Sequence, residues 1–247
     1  MFELAGPTFG LVEEYWPLLT NLLQLVIPWL FGAYNQHMLA AIAALTLGLS
    51  AQTLELTPTD DIWVYPHASD PQKDGYLRVW GTGGLAVASD PAQADEYSYS
   101  YLKFDLAKLP KEAKVSSVVL TLMHTPDPTW QASDAKASPL EARPLGKDFT
   151  EKAWEYGLGK SVFPGGKKED VFGSFAPAKL DAGQPIKFEI NLLKGPNKLA
   201  LSPGGTFATA LTSTLDPSAI GNRAVYKFYS KDYDKVEYRP RLVIQFD

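Results

Sequence analysis

Residues 97–110, YSYSYLKFDLAKLP, constrain the fold of this chain more than any other stretch, because a period-two run passes directly into a charged turn closed by proline. Ser98, Ser100, Leu102, Phe104 and Leu106 fall on one face of an extended backbone, and Tyr97, Tyr99, Tyr101 and Lys103 fall on the other. Asp105 stands where its carboxylate accepts backbone N–H groups of the following turn, and Pro110, with no N–H for a ladder, ends the strand beyond Leu109. The tyrosine face has two readings: an exposed aromatic ladder that binds a chain, or a face packed beneath a long loop.

The same period recurs along the chain. Residues 53–57, 62–66, 76–80, 97–106, 117–124, 140–145, 186–192, 199–202, 207–212, 224–230 and 241–246 read as strands with turn residues between them. Ile186, Phe188, Ile190 and Leu192 alternate with Lys187, Glu189 and Asn191, as in a sheet with one face in the core and one in water. Many strands with no convincing helix predict an all-β sandwich or barrel over residues 52–247. Long polar excursions at 125–139, 156–185 and 203–222 are where a binding function is sought.

Residues 1–50 differ chemically from the rest, since no Lys or Arg precedes Lys73. Met38 opens an apolar run of signal-peptide length that ends in Ser50 and Ala51, so residues 38–51 read as a signal peptide and Gln52 as the first mature residue. The alternative takes residues 15–34 as a membrane-spanning anchor interrupted at Pro28. The preferred reading treats residues 1–37 as an over-long gene start. Under either reading the β domain is exported, secreted or at the cell surface, and touches a membrane only through this segment.

Twenty-eight acidic against 23 basic residues, a net charge of −5, give none of the clustered positive charge that nucleic-acid binders present. The absence of cysteine removes disulfide frameworks, thiolate zinc sites and cysteine nucleophiles. Of His37, His67 and His124, none sits in a catalytic motif, and the chain is read as non-catalytic. Asp60, Asp61, Asp70 and Asp74 crowd one strand-and-loop region and supply the hard oxygen ligands that suit a structural Ca²⁺, although aspartates capping turns are the commoner use. Trp130, within TPDPTWQASD and without apolar neighbours, is the candidate exposed ring. With Tyr97, Tyr99, Tyr101, Trp154, Tyr156 and Lys160 it forms the set expected to bind a ligand, rings covering sugar faces and the lysine meeting carboxylates.

Several segments together resemble the DNRLRE-type (disaggregatase-related) domains: TPTDDIWVYP (57–66), LRVW (77–80), YLKFDLAKLP, KVSSVVLTLMH (114–124), ARPLGKDFTEKAWEYG (142–157), IKFEINLL (186–193), NKLALSP (197–203) and the closing YKFYSKDYDKVEYRPRLVIQF. Ser230-Lys231-Asp232 stands where that family has serine-arginine-glutamate, and Arg239-Pro240 is as the family has it. The resemblance implies a two-sheet antiparallel jelly roll of secreted and surface proteins, some of whose relatives bind acidic polysaccharides such as alginate. The expected function is therefore a non-catalytic module that binds polysaccharide or cell-envelope glycan. A structural subunit of an extracellular layer or fibre, formed by self-association, is the alternative, and a polysaccharide-degrading enzyme ranks behind both.

Overall fold

The computed structural model describes residues 51–64, 74–81, 83, 97–145, 148–154, 164, 167, 169–220 and 224–247. These belong to the compact unit Ala51–Asp247. The expected start or anchor segment, 1–37, and all but the last residue of the signal segment, 38–51, lie outside the described residues. No helix among the described residues is long and apolar enough to cross a membrane.

The described residues form β1 (Gln52–Leu56), β2 (Asp60–Val64), β3 (Tyr76–Val79), β4 (Tyr99–Asp105), β5 (Val115–His124), β6 (Leu140–Pro144), β7 (Gly173–Phe175), β8 (Ile186–Asn191), β9 (Thr206–Thr212), β10 (Tyr226–Tyr229) and β11 (Arg241–Phe246). Two short helices, α1 (Ala132–Ala137) and α2 (Pro217–Ile220), and a 3₁₀ turn at Val236–Tyr238 lie in the connections. All strand pairs are antiparallel. In the first sheet β5 pairs with β8 along one edge, while β11 and the end of β10 pair with the other; β1 adds to β11 and β3 to β10. The second sheet runs β2-β4-β9-β6-β7. Setting β1-β11-β5-β8 against β4-β9-β6-β7 gives the two interleaved Greek keys of a jelly roll, as expected.

The inner faces meet in one core. Leu120 and Leu122 of β5, Phe188 and Ile190 of β8, Phe228 of β10 and Ile244 of β11 face Leu102 and Phe104 of β4, Leu140 of β6 and Leu211 of β9, all essentially without solvent exposure. This is the alternation the sequence predicts for β8 and β11, whose buried and wetter positions succeed one another. Asp105 caps the turn after β4 as expected, its Oδ1 accepting the Ala107 N–H at 2.8 Å. The two sheets approach at both flanks. On one, Trp80 and Ser98 exchange backbone bonds, and Ser98 and Ser100 donate their hydroxyls to the Arg78 carbonyl at 3.0 and 2.9 Å. On the other, Gly173 opens β7 against the Asn191 carbonyl, where a Cβ would collide.

Three expectations change. Residues 199–202 form no strand, although Leu199 and Leu201 pack against the core. Residues 173–175 do form one, too short and too glycine-dependent to show as a period. Trp130 is fully buried, not exposed: it fills the end of the sandwich among His124, Phe188 and Tyr226 at centroid distances of 5.1, 6.3 and 5.0 Å, and its Nε1–H donates to the Val225 carbonyl at 3.2 Å. The residues that follow it form α1, whose Ala135 is buried in the same core.

Trp130→Ala is expected to lower unfolding stability by about 3–5 kcal/mol, the range for emptying a large aromatic site in a core. Urea unfolding measures it, and a loss below about 1 kcal/mol would contradict the packing described. His124 lies in the same box; burial pushes its imidazole from 6.5 down to about 4. Between those pH values the unfolded chain binds a proton that the folded one refuses, so stability falls as pH drops from 6.5 to 4. Replacing His124 by Phe should flatten that part of the stability profile.

Candidate functional site

The tyrosine face of β4 is closed. Tyr99 and Tyr101 are each 1% exposed, because residues 148–154 lie over the outer side of the second sheet and bring Phe149 and Trp154 onto them. Tyr101 meets Phe149 at 5.8 Å and Trp154 at 6.0 Å, and half-buried Tyr97 stacks on Tyr99 at 4.8 Å. The covering segment is fastened by polar bonds. The buried Lys103 ammonium donates to the Phe149 carbonyl at 2.8 Å and pairs with Asp148, while the Asp60 carboxylate accepts the Glu151 N–H at 3.0 Å. Of the two readings of this face, packing beneath a loop is the correct one; Tyr99 and Tyr101 are core residues and Trp154 is part of their cover. Tyr156 and Lys160 lie outside the described residues.

The expected set of calcium ligands is also dispersed. Asp74 accepts from Trp63 Nε1 at 3.1 Å and from the Tyr76 N–H at 3.2 Å, and forms an ion pair with Arg78. Asp60 accepts the Thr59 hydroxyl at 2.9 Å besides the Glu151 N–H. Asp70 lies outside the described residues. Only Asp61 enters a group of three carboxylates among the described residues, and its companions are Glu151 and Asp232, with ligand oxygens within 4.8 Å of one another. Lys231 already supplies a cation there. Its ammonium is 2.8 Å from Glu151 and 2.6 Å from Asp232, and its backbone N–H donates to Asp61 Oδ2 at 2.6 Å.

Electrostatics follow from that geometry. Burial lifts the Asp61 carboxyl to about 7; the Lys231 bond and charge oppose the shift, and the Glu151 and Asp232 charges add to it. Burial also raises Glu151, against its bond to Lys231. For Lys231 burial favours the neutral amine, but the bonds to Asp232 and Glu151 outweigh it and hold the ammonium above its ordinary range.

Next to this cluster lies a surface that the sequence reading did not assemble. Leu77 and Val79 of β3 and Tyr226 and Phe228 of β10 point into the core, so Tyr76 and Arg78, with Lys227 and Tyr229, point outward. The turn after β10 folds back and adds Tyr233 and Tyr238. Tyr229 lies at the centre, with ring centroids 5.6, 4.3 and 4.9 Å from Tyr76, Tyr233 and Tyr238. Tyr76, Tyr233 and Tyr238 are half-buried, so their rings retain surface over the buried Tyr229. The Lys227 ammonium sits 4.0 Å over Tyr76, Lys235 lies 5.3 Å from Tyr238, and the Arg78 guanidinium lies 4.7 Å over Trp63. Val236, in the same turn, is 57% exposed. Burial, then proximity to Arg78, lowers the Lys227 ammonium; burial, then Tyr233, raises the Tyr76 phenol.

The turn holds its shape through its own bonds. Tyr233 N–H donates to the Ser230 carbonyl at 3.2 Å, Asp232 N–H to Ser230 Oγ at 3.2 Å, and Arg239 Nε to the Tyr233 carbonyl at 2.7 Å. The surface is therefore flat rings with cations at their edges, capable of stacking on an apolar face and of pairing with an anion. The signal in the sequence was the density of tyrosine and lysine in YKFYSKDYDKVEY, where Lys227 and Tyr229 alternate with core residues. The sequence matches no family model, and no curated protein matches it.

Lys231→Ala removes the ammonium that lies between Glu151 and Asp232. It is expected to cost about 1.5–3 kcal/mol near neutral pH, the range for hydrogen bonds to charged groups. Urea unfolding reads the loss, and a change below about 0.5 kcal/mol would contradict it.

Proposed function

We propose that this protein is a non-catalytic, exported glycan-binding module whose ligand face is the tyrosine–lysine surface on the outer side of β3 and β10. The single observation that carries this reading is the continuous group Tyr76, Tyr229, Tyr233 and Tyr238 with Lys227 and Lys235 against its rings. Sugar rings present C–H faces that aromatic rings cover, and hydroxyls that phenols and ammoniums bond. A sheet surface suits an extended polymer, which needs a long shallow contact in place of a deep pocket.

Two further features support it. Segments carrying the resemblance to DNRLRE-type domains, TPTDDIWVYP and Ser230-Lys231-Asp232, are distant in sequence and meet through the Asp61–Lys231 bond beside this surface. His124, the one histidine among the described residues, is enclosed in the core, so no described imidazole stands at the tyrosine face to act as a general base. That favours binding over hydrolysis or elimination.

Affinity electrophoresis of the purified protein through gels containing alginate, pectin or neutral glucans tests the proposal. Retention by at least one polymer is expected, weakened about tenfold, or about 1.4 kcal/mol, by Tyr233→Ala and by Lys227→Ala. Migration unaffected by every polymer would overturn it, as would retention that both substitutions leave intact.

A further inference from the structure

Two consecutive residues of β2 bring into contact one residue from each of two segments remote in sequence. The Asp60 carboxylate accepts the Glu151 N–H at 3.0 Å, and the Asp61 backbone N–H bonds the Glu151 carboxylate. Asp61 Oδ2 accepts the Lys231 N–H at 2.6 Å, and one residue earlier the Ser230 N–H donates to the Gly75 carbonyl at 3.0 Å. With both backbones fixed in this way, Lys231 Nζ stands 2.8 Å from Glu151 Oε2, and the two side chains are only 17% and 13% exposed. Among the ion pairs between described residues, no other lysine and carboxylate are both so withdrawn from water.

Burying an ion pair requires both charges to lose their water, a penalty that a neutral amide in the same place does not carry. In bulk water an ammonium and a carboxylate do not condense, since both are hydrated and their encounters are dilute. Well-oriented groups held in one molecule instead reach effective concentrations of about 10⁵ M or more. A third group completes the arrangement: the Asp232 carboxylate lies 2.6 Å from the same Lys231 nitrogen and is 52% exposed, so it can accept a proton there and exchange it with solvent.

We infer that Lys231 and Glu151 are the two halves of an internal isopeptide bond, which the folded chain forms on itself between Lys231 Nζ and Glu151 Cδ. Lys231 rests as the ammonium, so the step begins with transfer of one proton to Glu151 Oε2 along their hydrogen bond, leaving a neutral amine and a carboxylic acid. The nitrogen lone pair attacks Cδ and the carbonyl π pair moves onto oxygen, where the Asp61 N–H is a donor to the same carboxyl group. A second proton passes from nitrogen to Asp232 and through solvent to the departing hydroxyl; the Cδ–O bond breaks and water leaves. Of the three ammonium hydrogens one stays on the amide nitrogen and two leave in the water. Nothing is oxidised or reduced, and one positive and one negative charge vanish together. The bond joins the segment that covers the second sheet to the turn that carries Tyr233 and Tyr238, and it does not depend on the glycan-binding reading.

Peptide mass mapping of the full protein tests the bond without any ligand. Trypsin cleaves after Lys147, Lys152, Lys227 and Lys235 but not at an acylated Lys231, so residues 148–152 should appear joined to residues 228–235 as one branched peptide. Its expected mass is that of the two peptides less one water, and fragmentation should place the junction between Lys231 and Glu151. Lys231→Arg keeps a cation beside Glu151 but cannot give up its charge to form the amide, so the branched peptide should be lost. Asp232→Asn removes the proton acceptor and should leave most of the freshly purified protein unreacted. Cleavage after Lys231 throughout the native protein would overturn the inference, as would a junction between Lys231 and Asp232 in place of Glu151. Complete reaction in Asp232→Asn would overturn the role given to Asp232.

Discussion

The covering of the second sheet by residues 148–154 decides which surface of this protein is left to meet anything else. A two-layer sandwich has two outer faces, and here one is shut: Tyr99 and Tyr101 lie under Phe149 and Trp154, and the buried Lys103 ammonium holds the cover through the Phe149 carbonyl and Asp148. Burying that ammonium is tolerable because two oxygens receive it. With this side closed, Tyr76, Arg78, Lys227 and Tyr229 project from two paired strands of the opposite sheet. The asymmetry of the sandwich thus follows from how one loop satisfies one lysine.

Period-two alternation was enough to place most strands, because a sheet with a wet outer face writes its burial directly into the order of residues. It was least informative where that premise fails. In β4 six consecutive residues are buried, so serine alternating with tyrosine marks two covered faces, with serine hydroxyls donating to the Arg78 carbonyl on one and tyrosines under a loop on the other. β7 is three residues long and depends on the absence of a Cβ at Gly173, which no periodicity expresses. Trp130 looked exposed because its sequence neighbours are polar; its spatial neighbours are His124, Phe188 and Tyr226, all remote in the chain or on the far side of a turn. The candidate site shares that difficulty. Asp61 was legible as a chemistry-bearing residue, but its partners Glu151 and Lys231 come from segments that only the sheet topology brings alongside.

Two buried ionisable groups pull the stability of this fold in opposite directions. His124, among aromatic rings, refuses a proton that the unfolded chain accepts, whereas Asp61, among carboxylates, keeps one that the unfolded chain releases. Acid therefore loads the closed end of the sandwich, and neutral to alkaline conditions load the flank beside the tyrosines. Each is a polar group where an apolar one would pack, and the cost of each is local to the element it sits on.

The pairing of β1 with β11 has a kinetic consequence. β11 lies between β1 and β5, so Gln52 is aligned with Phe246 across nearly the whole length of the domain sequence. During synthesis β1 emerges first and has no partner in its sheet until the last strand has been made, and closing so long a loop is entropically slow. Through that interval β1 and the open edge of β5 wait with unpaired backbone groups. The order in which the chain is made is therefore the reverse of the order in which its first sheet can be finished.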